Sequence, residues 1–212
     1  MPTLHWSPRS PYVRKAMVAL HEKGLASQVT TLRTHADPLI PHEGLMQVNP
    51  LSKIPTLERE GLPPIWDSRV ICEWADATGP AGPRLLPADA QARLIALRDE
   101  ATGSGLMDIA LPWLVETRMR PESQRSDQQI AAFRRKTASV LDWLEGNIDA
   151  IGARDFDIGH IAIGVALSYL DFRFAAEVWP EERPRLAAWH AGFRARPSVQ
   201  ATEFRDDPRP AG

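Results

Sequence analysis

Between Ala77 and Ala90 the chain reads ATGPAGPRLLPADA, with prolines at 80, 83 and 87 and glycines at 79 and 82. Proline cannot donate to a helix or a ladder, and glycine loses the most backbone entropy on ordering, so no regular element is expected through this stretch. It reads as a linker. The patterns on its two sides differ: before it, short apolar runs alternate with amphipathic ones, and after it no strand pattern appears. A chain of 212 residues is long enough to bury a core on each side of such a break. The expected plan is one domain over 1–78, a linker over 79–89, an all-helical domain over 90–204 and a disordered tail over 205–212.

On the amino-terminal side, TLHW (Thr3 to Trp6) fits a short strand, Pro11 to Lys23 an amphipathic helix closed by Gly24, and VTTLR (Val29 to Arg33) a second strand. That is a βαβ unit. The proline-broken HADPLIPHEGLMQVNP leaves room for a short helix around Glu43 to Gln47. PTLERE and PPIW flank Gly61 as an antiparallel hairpin, and Ser68 to Ala77 fits another helix. The order βαβ then ββα implies a small mixed sheet with helices on its faces, an α/β arrangement of thioredoxin-like type.

On the other side, Arg93 to Arg118 has a helical pattern interrupted by Gly103 and Gly105, with a kink expected at Pro112. Ile130, Phe133, Thr137, Leu141, Leu144 and Ile148 recur at steps of three and four and define one face of a second long helix. Ile158 to Ala175 is apolar nearly all round, which marks the buried centre of a helical bundle. A last helix is expected from Arg185 to Arg194.

Composition excludes more than it selects. Charged residues at 25%, hydrophobic residues at 43% and a net charge of −2 describe an ordinary globular protein with no electrostatic pull toward nucleic acid or an anionic membrane. The longest apolar run, Ile161 to Leu170, is too short to span a bilayer, and MPTLHWSPRS has no basic-then-apolar signal pattern. One cysteine, Cys72, allows no internal disulfide, so a cytoplasmic setting is expected. Six histidines show neither an HExxH pattern nor a cysteine partner, so no metal is expected.

Three short motifs carry chemistry. Ser10 before Pro11 is a helix N-cap by type, and the same hydroxyl at the positive end of a helix can also donate to an anion. Ile54-Pro55 precedes a strand. In the trans form it simply starts that strand, and in the cis form it would offer the main chain of Ile54 to an extended ligand. Asp67 and Ser68 stand where a strand turns into a helix; they can cap it, or they can seat a carboxylate and an ammonium together.

Five stretches in this order resemble the cytosolic glutathione transferase family across essentially the whole chain: SPRSPYVRKAMVALHEKGL, NPLSKIPTLE, DSRVICEWAD, DIGHIAIGVALSYLDFRF and AAWHAGFRARPSV. The resemblance implies a thioredoxin-like domain that binds glutathione, a helical domain that supplies an electrophile pocket, and a homodimer. Carried over position by position, it implies that Ser10 hydrogen-bonds the glutathione sulfur, with Ser7 as the alternative. Ile54, ahead of a cis Pro55, would pair with the cysteinyl backbone, Asp67 and Ser68 would hold the γ-glutamyl end, and Lys53 would reach the glycyl carboxylate. The electrophile would lie between the domains, with Tyr12, Leu106, Met107, Trp113 and Arg118 as lining candidates.

Chemically, one hydroxyl is enough. A free thiol has a pKa of about 8.5, and lowering it by about two units takes roughly 2.7 kcal/mol of preference for the anion. The nucleophile belongs to the cosubstrate, so the protein needs none of its own. Relatives with cysteine at the Ser10 position act mainly as thiol–disulfide or dehydroascorbate reductases; serine here implies conjugation or peroxide reduction. A second departure is DIGH, where Asp157 and His160 replace the Ser/Thr and Asp that many relatives use to cap the buried helix, so the reciprocal bond falls to an imidazole or is lost. The competing function is a glutathione-fold binding or interaction module with no turnover.

Overall fold

The computed structural model describes residues 1–175 and 179–207. They cluster into two compact units, Met1–Ala88 with the segment from Pro197, and Asp89–Arg196. The first unit is built on four short strands, β1 (Thr3–Trp6), β2 (Thr30–Arg33), β3 (Thr56–Arg59) and β4 (Leu62–Ile65), in the order β2-β1-β3-β4. β1 and β2 run parallel, as a crossover through the helix α1 (Pro11–Glu22) requires, and the β1–β3 and β3–β4 pairs are antiparallel. Pro63 and Pro64 sit in β4 at the sheet edge, where a missing N–H breaks no ladder. Gly61 makes the hairpin turn with φ +70°, a conformation that favours glycine.

α1 packs on α3 (Ser68–Thr78), and their buried faces, Val13, Ala16 and Leu20 with Ile71, Cys72 and Ala75, join Leu4 and Leu57 of the sheet in one core. The short α2 (Glu43–Met46) lies between β2 and β3 in the chain. The linker is held down from within the unit. Asp76 accepts from the amides of Leu85 and Leu86 at 2.7 and 3.0 Å, and the Lys23 ammonium donates to the Pro83 carbonyl at 2.9 Å.

The second unit is helical in all its described elements: α4 (Ala90–Leu114), α5 (Asp127–Gly152), α6 (Ile158–Arg173) and α7 (Pro184–Arg194). α4 runs unbroken through both glycines expected to interrupt it. A Cβ on Gly103 would lie 2.3 Å from the carbonyl carbon of Ala162, so glycine there lets the backbones of α4 and α6 touch. Gly105 meets nothing within 4 Å. Nor does Pro112 end the helix. α4 continues to Leu114 and then gives way to a wider π-helical turn, Val115–Met119. On α5 the buried stripe is Thr137, Leu141, Leu144, Ile148 and Ile151, and the expected Ile130 and Phe133 are only half-buried.

The DIGH box closes with imidazole. Asp157 Oδ1 accepts from the amides of Gly159 and His160 at 2.9 and 3.1 Å, and Nδ1 of His160 accepts from the Asp157 amide at 3.2 Å. Nε2 of the same ring donates to the Ile151 carbonyl at 2.9 Å. A protonated ring would instead turn its Nδ1–H to Asp157 Oδ1, 2.7 Å away. Burial pushes the Asp157 carboxyl up, but the hydrogen bond and charge of a protonated His160 ring, with Arg154 beyond, outweigh it and hold the group below its ordinary range.

The carboxy-terminal boundary differs from the expected one. From Pro197 the chain clusters with the first unit, because α8 (Pro197–Gln200) packs on α1 and the Arg14 guanidinium donates to the Val199 carbonyl at 3.2 Å. Tail residues 205–207, expected to be disordered, are tied down by ion pairs from Asp206 and Asp207 to Arg9 and Arg33. The remainder of the expected tail, 208–212, lies outside the described residues. No described helix is long and apolar enough to cross a membrane.

Candidate functional site

Strand directions send three chain segments to one end of the first unit's sheet. β1 and β4 finish there and β3 starts there, since His5 pairs with Thr56 and Leu57 with Ile65. Just beyond the ladders lie residues 7–10, 53–55 and 66–68, so three motifs that are separate in sequence share one edge.

Ser10 is the N-cap of α1. Its backbone is extended, its Oγ accepts from the Val13 amide at 3.3 Å, and it is half-exposed. Acting as an acceptor leaves its own hydroxyl proton for another partner. No acidic side chain stands in the first turn of α1, so nothing in that turn neutralises the positive end of the helix. Ser7 differs: it is 7% exposed, and its Oγ accepts from the Arg9 amide at 3.4 Å. A bond from the Ser10 amide to the Ser7 carbonyl, 3.3 Å, closes the turn between them.

Ile54-Pro55 is cis, and Ile54 lies outside the β1–β3 ladder, which begins at Thr56. The loop before it is organised by Asn49, which exposes no surface. Its Nδ2 donates to the Lys53 carbonyl at 3.1 Å and to Thr56 Oγ1 at 2.9 Å, and its Oδ1 accepts from the Leu51 amide at 3.0 Å. Ser52 takes a positive φ of 52°, and its Oγ accepts from the His42 amide at 2.8 Å. The Lys53 side chain is exposed.

Asp67 caps α3 through Oδ1, which accepts from the Arg69 amide at 2.7 Å. The residue itself is exposed, and Ser68 behind it is 2% exposed. The Trp66-Asp67 peptide is also cis, which no local sequence signal announces. This sheet end therefore combines a helix start with no acidic side chain in its first turn, a hydroxyl with a proton to give, a main-chain edge and an exposed carboxylate. Together they suit an extended ligand with a main chain, an ammonium and an anionic centre.

The residues expected to line an electrophile pocket fall into two groups. Leu106 and Met107 expose nothing and Trp113 2%, with its ring stacked 4.3 Å from that of Phe174, so all three serve the core. Tyr12 is half-buried on α1, and the exposed Arg118 donates to the Arg173 carbonyl at the end of α6.

Family models for the glutathione S-transferase N-terminal domain and C-terminal domain match residues 9–78 and 127–192. The uncharacterized GST-like protein YibF of Escherichia coli strain K12 is 34% identical over 197 residues, 92% of this chain and 94% of that protein. The chain belongs to the glutathione S-transferase family. Among solved structures of the family, a member from Pseudomonas fluorescens Pf-5 with bound glutathione is 37% identical with a TM-score of 0.93, covering 97% of this chain and 100% of the other. A second, from Methylobacillus flagellatus KT with glutathione bound, is 31% identical with a TM-score of 0.86, covering 96% and 99%.

Two features of the transferase fold seen here escaped the motifs. Asn49 stands in NPLSKIPTLE with no role read for it, and its burial and its three hydrogen bonds show that it shapes the loop. The acidic pair Asp206 and Asp207 falls in the stretch expected to be a disordered tail, although Asp207 pairs with Arg33, 174 positions earlier.

Proposed function

We propose that this transferase binds glutathione along the sheet end and holds its sulfur as a thiolate at Ser10, for attack on a small hydrophobic electrophile. What carries the reading is the contrast between the two serines: Ser10 is half-exposed at a helix start with a proton to donate, and Ser7 is buried. Ile54 pairs with the cysteinyl backbone, Asp67 and Ser68 take the γ-glutamyl end, and Lys53 reaches the glycyl carboxylate. Bound glutathione in the Pseudomonas and Methylobacillus relatives supports this ligand. The Pseudomonas protein also holds S-(propanoic acid)-glutathione, in which the sulfur carries a carbon substituent, as a conjugation product would.

The chemistry divides simply. The thiol proton leaves to solvent, the Ser10 hydroxyl and the helix start stabilise the anion, the sulfur lone pair forms the new C–S bond, and the leaving group departs with its bonding pair. Tyr12, two residues along α1, flanks the reacting sulfur. With hydroperoxides the same thiolate attacks the terminal oxygen, the O–O bond breaks to release the alcohol, and a second glutathione thiol displaces water from the sulfenic acid to leave the disulfide.

A thermal shift with glutathione, followed by turnover on a panel of electrophiles for wild type and Ser10→Ala, tests this. A charge-assisted hydrogen bond is worth about 1.5–3 kcal/mol, so Ser10→Ala lowers kcat/KM on the order of tenfold to a hundredfold. Binding without turnover on any electrophile would make the chain a binding module instead, and no binding would remove the reading altogether.

A further inference from the structure

The segment 7–10, which carries the reacting hydroxyl of the proposed function, is held by few bonds of its own. Internally it has the turn from the Ser10 amide to the Ser7 carbonyl. The Arg9 amide also reaches Ser7 Oγ, and Ser10 is tied into α1 through the Val13 and Arg14 amides. A further grip comes from the far end of the chain. The Arg205 amide donates to the Pro8 carbonyl at 3.3 Å, and the Arg205 guanidinium stands 5.7 Å from the centre of the Trp6 ring. Asp207 is fixed by a bidentate fork from Arg33 at the end of β2, Nε to Oδ2 at 2.6 Å and Nη2 to Oδ1 at 3.1 Å. Arg33 is itself steadied by its Nη1 on the Thr34 carbonyl at 2.8 Å.

Arg9 meets the same carboxylates from the other side. Its Nε lies 3.1 Å from Asp207 Oδ1 and 3.3 Å from Asp206 Oδ1. That buried nitrogen aims no hydrogen bond at either oxygen, so the attraction is one of charge. On α1 the Arg14 guanidinium lies 4.4 Å over the Phe204 ring. The tail is therefore fastened to β2, to α1 and to the loop between β1 and α1. A line of contacts runs from the ladder through Arg33 and Asp207 to Arg9, next to Ser10.

We propose that residues 205–207 are a positioning element for Ser10, fixing the 7–10 loop so that the hydroxyl meets the sulfur of bound glutathione. This rests on the proposed function for the ligand and on the contacts above for the hold. Half-exposed ion pairs contribute little to global stability, so the tail is dispensable for folding, yet a small displacement of a reacting group is costly in rate and binding. The Arg33 hydrogen bond, outweighing the cost of burial and helped by the charges of Arg33 and Arg9, holds the Asp207 carboxyl below the usual range, so the clamp is charged at neutral pH.

The test compares the full-length wild type with Asp207→Asn, Asp207→Glu and Arg33→Gln. It uses hydrogen exchange of the peptide spanning Trp6 to Val13 without ligand, and KM for glutathione and kcat with a chlorinated nitroarene. Asp207→Asn and Arg33→Gln should speed exchange at the Arg9 and Ser10 amides and raise KM for glutathione roughly three- to tenfold. Melting temperature should stay within about 2 °C of wild type, and Asp207→Glu should recover most of the affinity. Unchanged exchange and KM, in a wild type that turns over, overturn the clamp and leave the proposed function standing. A lower KM or higher kcat in Asp207→Asn also overturns it, since the tail would then compete with glutathione. A wild type that neither binds nor uses glutathione removes both.

Discussion

The oxygen caps that start α6 and α1 are spent differently. At α6 the Asp157 side chain is buried, its Oδ1 takes two amides, Arg154 lies 3.3 Å from Oδ2, and His160 returns the reciprocal bond. At α1 the Ser10 Oγ takes one amide at 3.3 Å, the residue is half-exposed, and its proton remains to be given. Cap geometry alone does not separate a structural helix start from a chemical one. What separates them is hydrogen-bonding capacity left over and a surface through which a ligand can reach it.

The sharpest way to break the contrast is Asp157→Ala. It strips a buried charge network that also holds Arg154, itself 2.6 Å from the wholly buried Asp99, and should cost about 3 kcal/mol in chemical denaturation. Glutathione turnover per folded molecule should stay near wild type. Equal losses in stability and turnover would show that the α6 cap is not purely structural.

Next comes Ser10→Asp. Aspartate caps as well as serine, so the unfolding free energy should stay within about 0.5 kcal/mol. A carboxylate beside the sulfur repels the thiolate, and turnover should fall further than in Ser10→Ala, which loses the cap as well, at about 1 kcal/mol. If Ser10→Asp keeps its activity, the hydroxyl proton plays no part.

A pH series sharpens the same point. Because the Asp157 carboxyl is held below its ordinary value in the fold, its stabilisation is complete above the unfolded value of about 4 and is lost as pH falls through the lowered native value. Denaturation midpoints should therefore decline on that acid limb, and Asp157→Asn should flatten the component. Smallest of all is Ser7→Ala, where a single bond at 3.4 Å is lost: stability within about 1 kcal/mol and turnover within about twofold of wild type. A large loss of turnover there would move the sulfur contact from Ser10 to Ser7.

Legibility in the sequence followed range. Ser10 ahead of Pro11 and Asp67 at a strand-to-helix turn are local arrangements, and the structure places both as caps. The order of strands and helices was readable for the same reason, since periodicity reports on a few neighbouring residues. Gly103 looked like a helix breaker because nothing local records that α6 passes against it. Pro112 was expected to kink α4, and the departure from α-helical bonding that the structure shows is the π-helical turn that begins three residues later, at Val115. The pocket candidates Leu106, Met107 and Trp113 were indistinguishable from core residues, which their burial shows them to be. The Arg33–Asp207 pair, with its 174-residue separation, has no local signature at all.

The thiolate absorbance of glutathione, titrated with pH in complex with wild type and with Ser10→Ala, bears most directly on the idea that one alcohol keeps the sulfur anionic. The bound thiol should titrate about one to two units below the free value of about 8.5 in wild type, and close to the free value in Ser10→Ala. A bound thiol that titrates like the free one in wild type, or identically in both proteins, contradicts it.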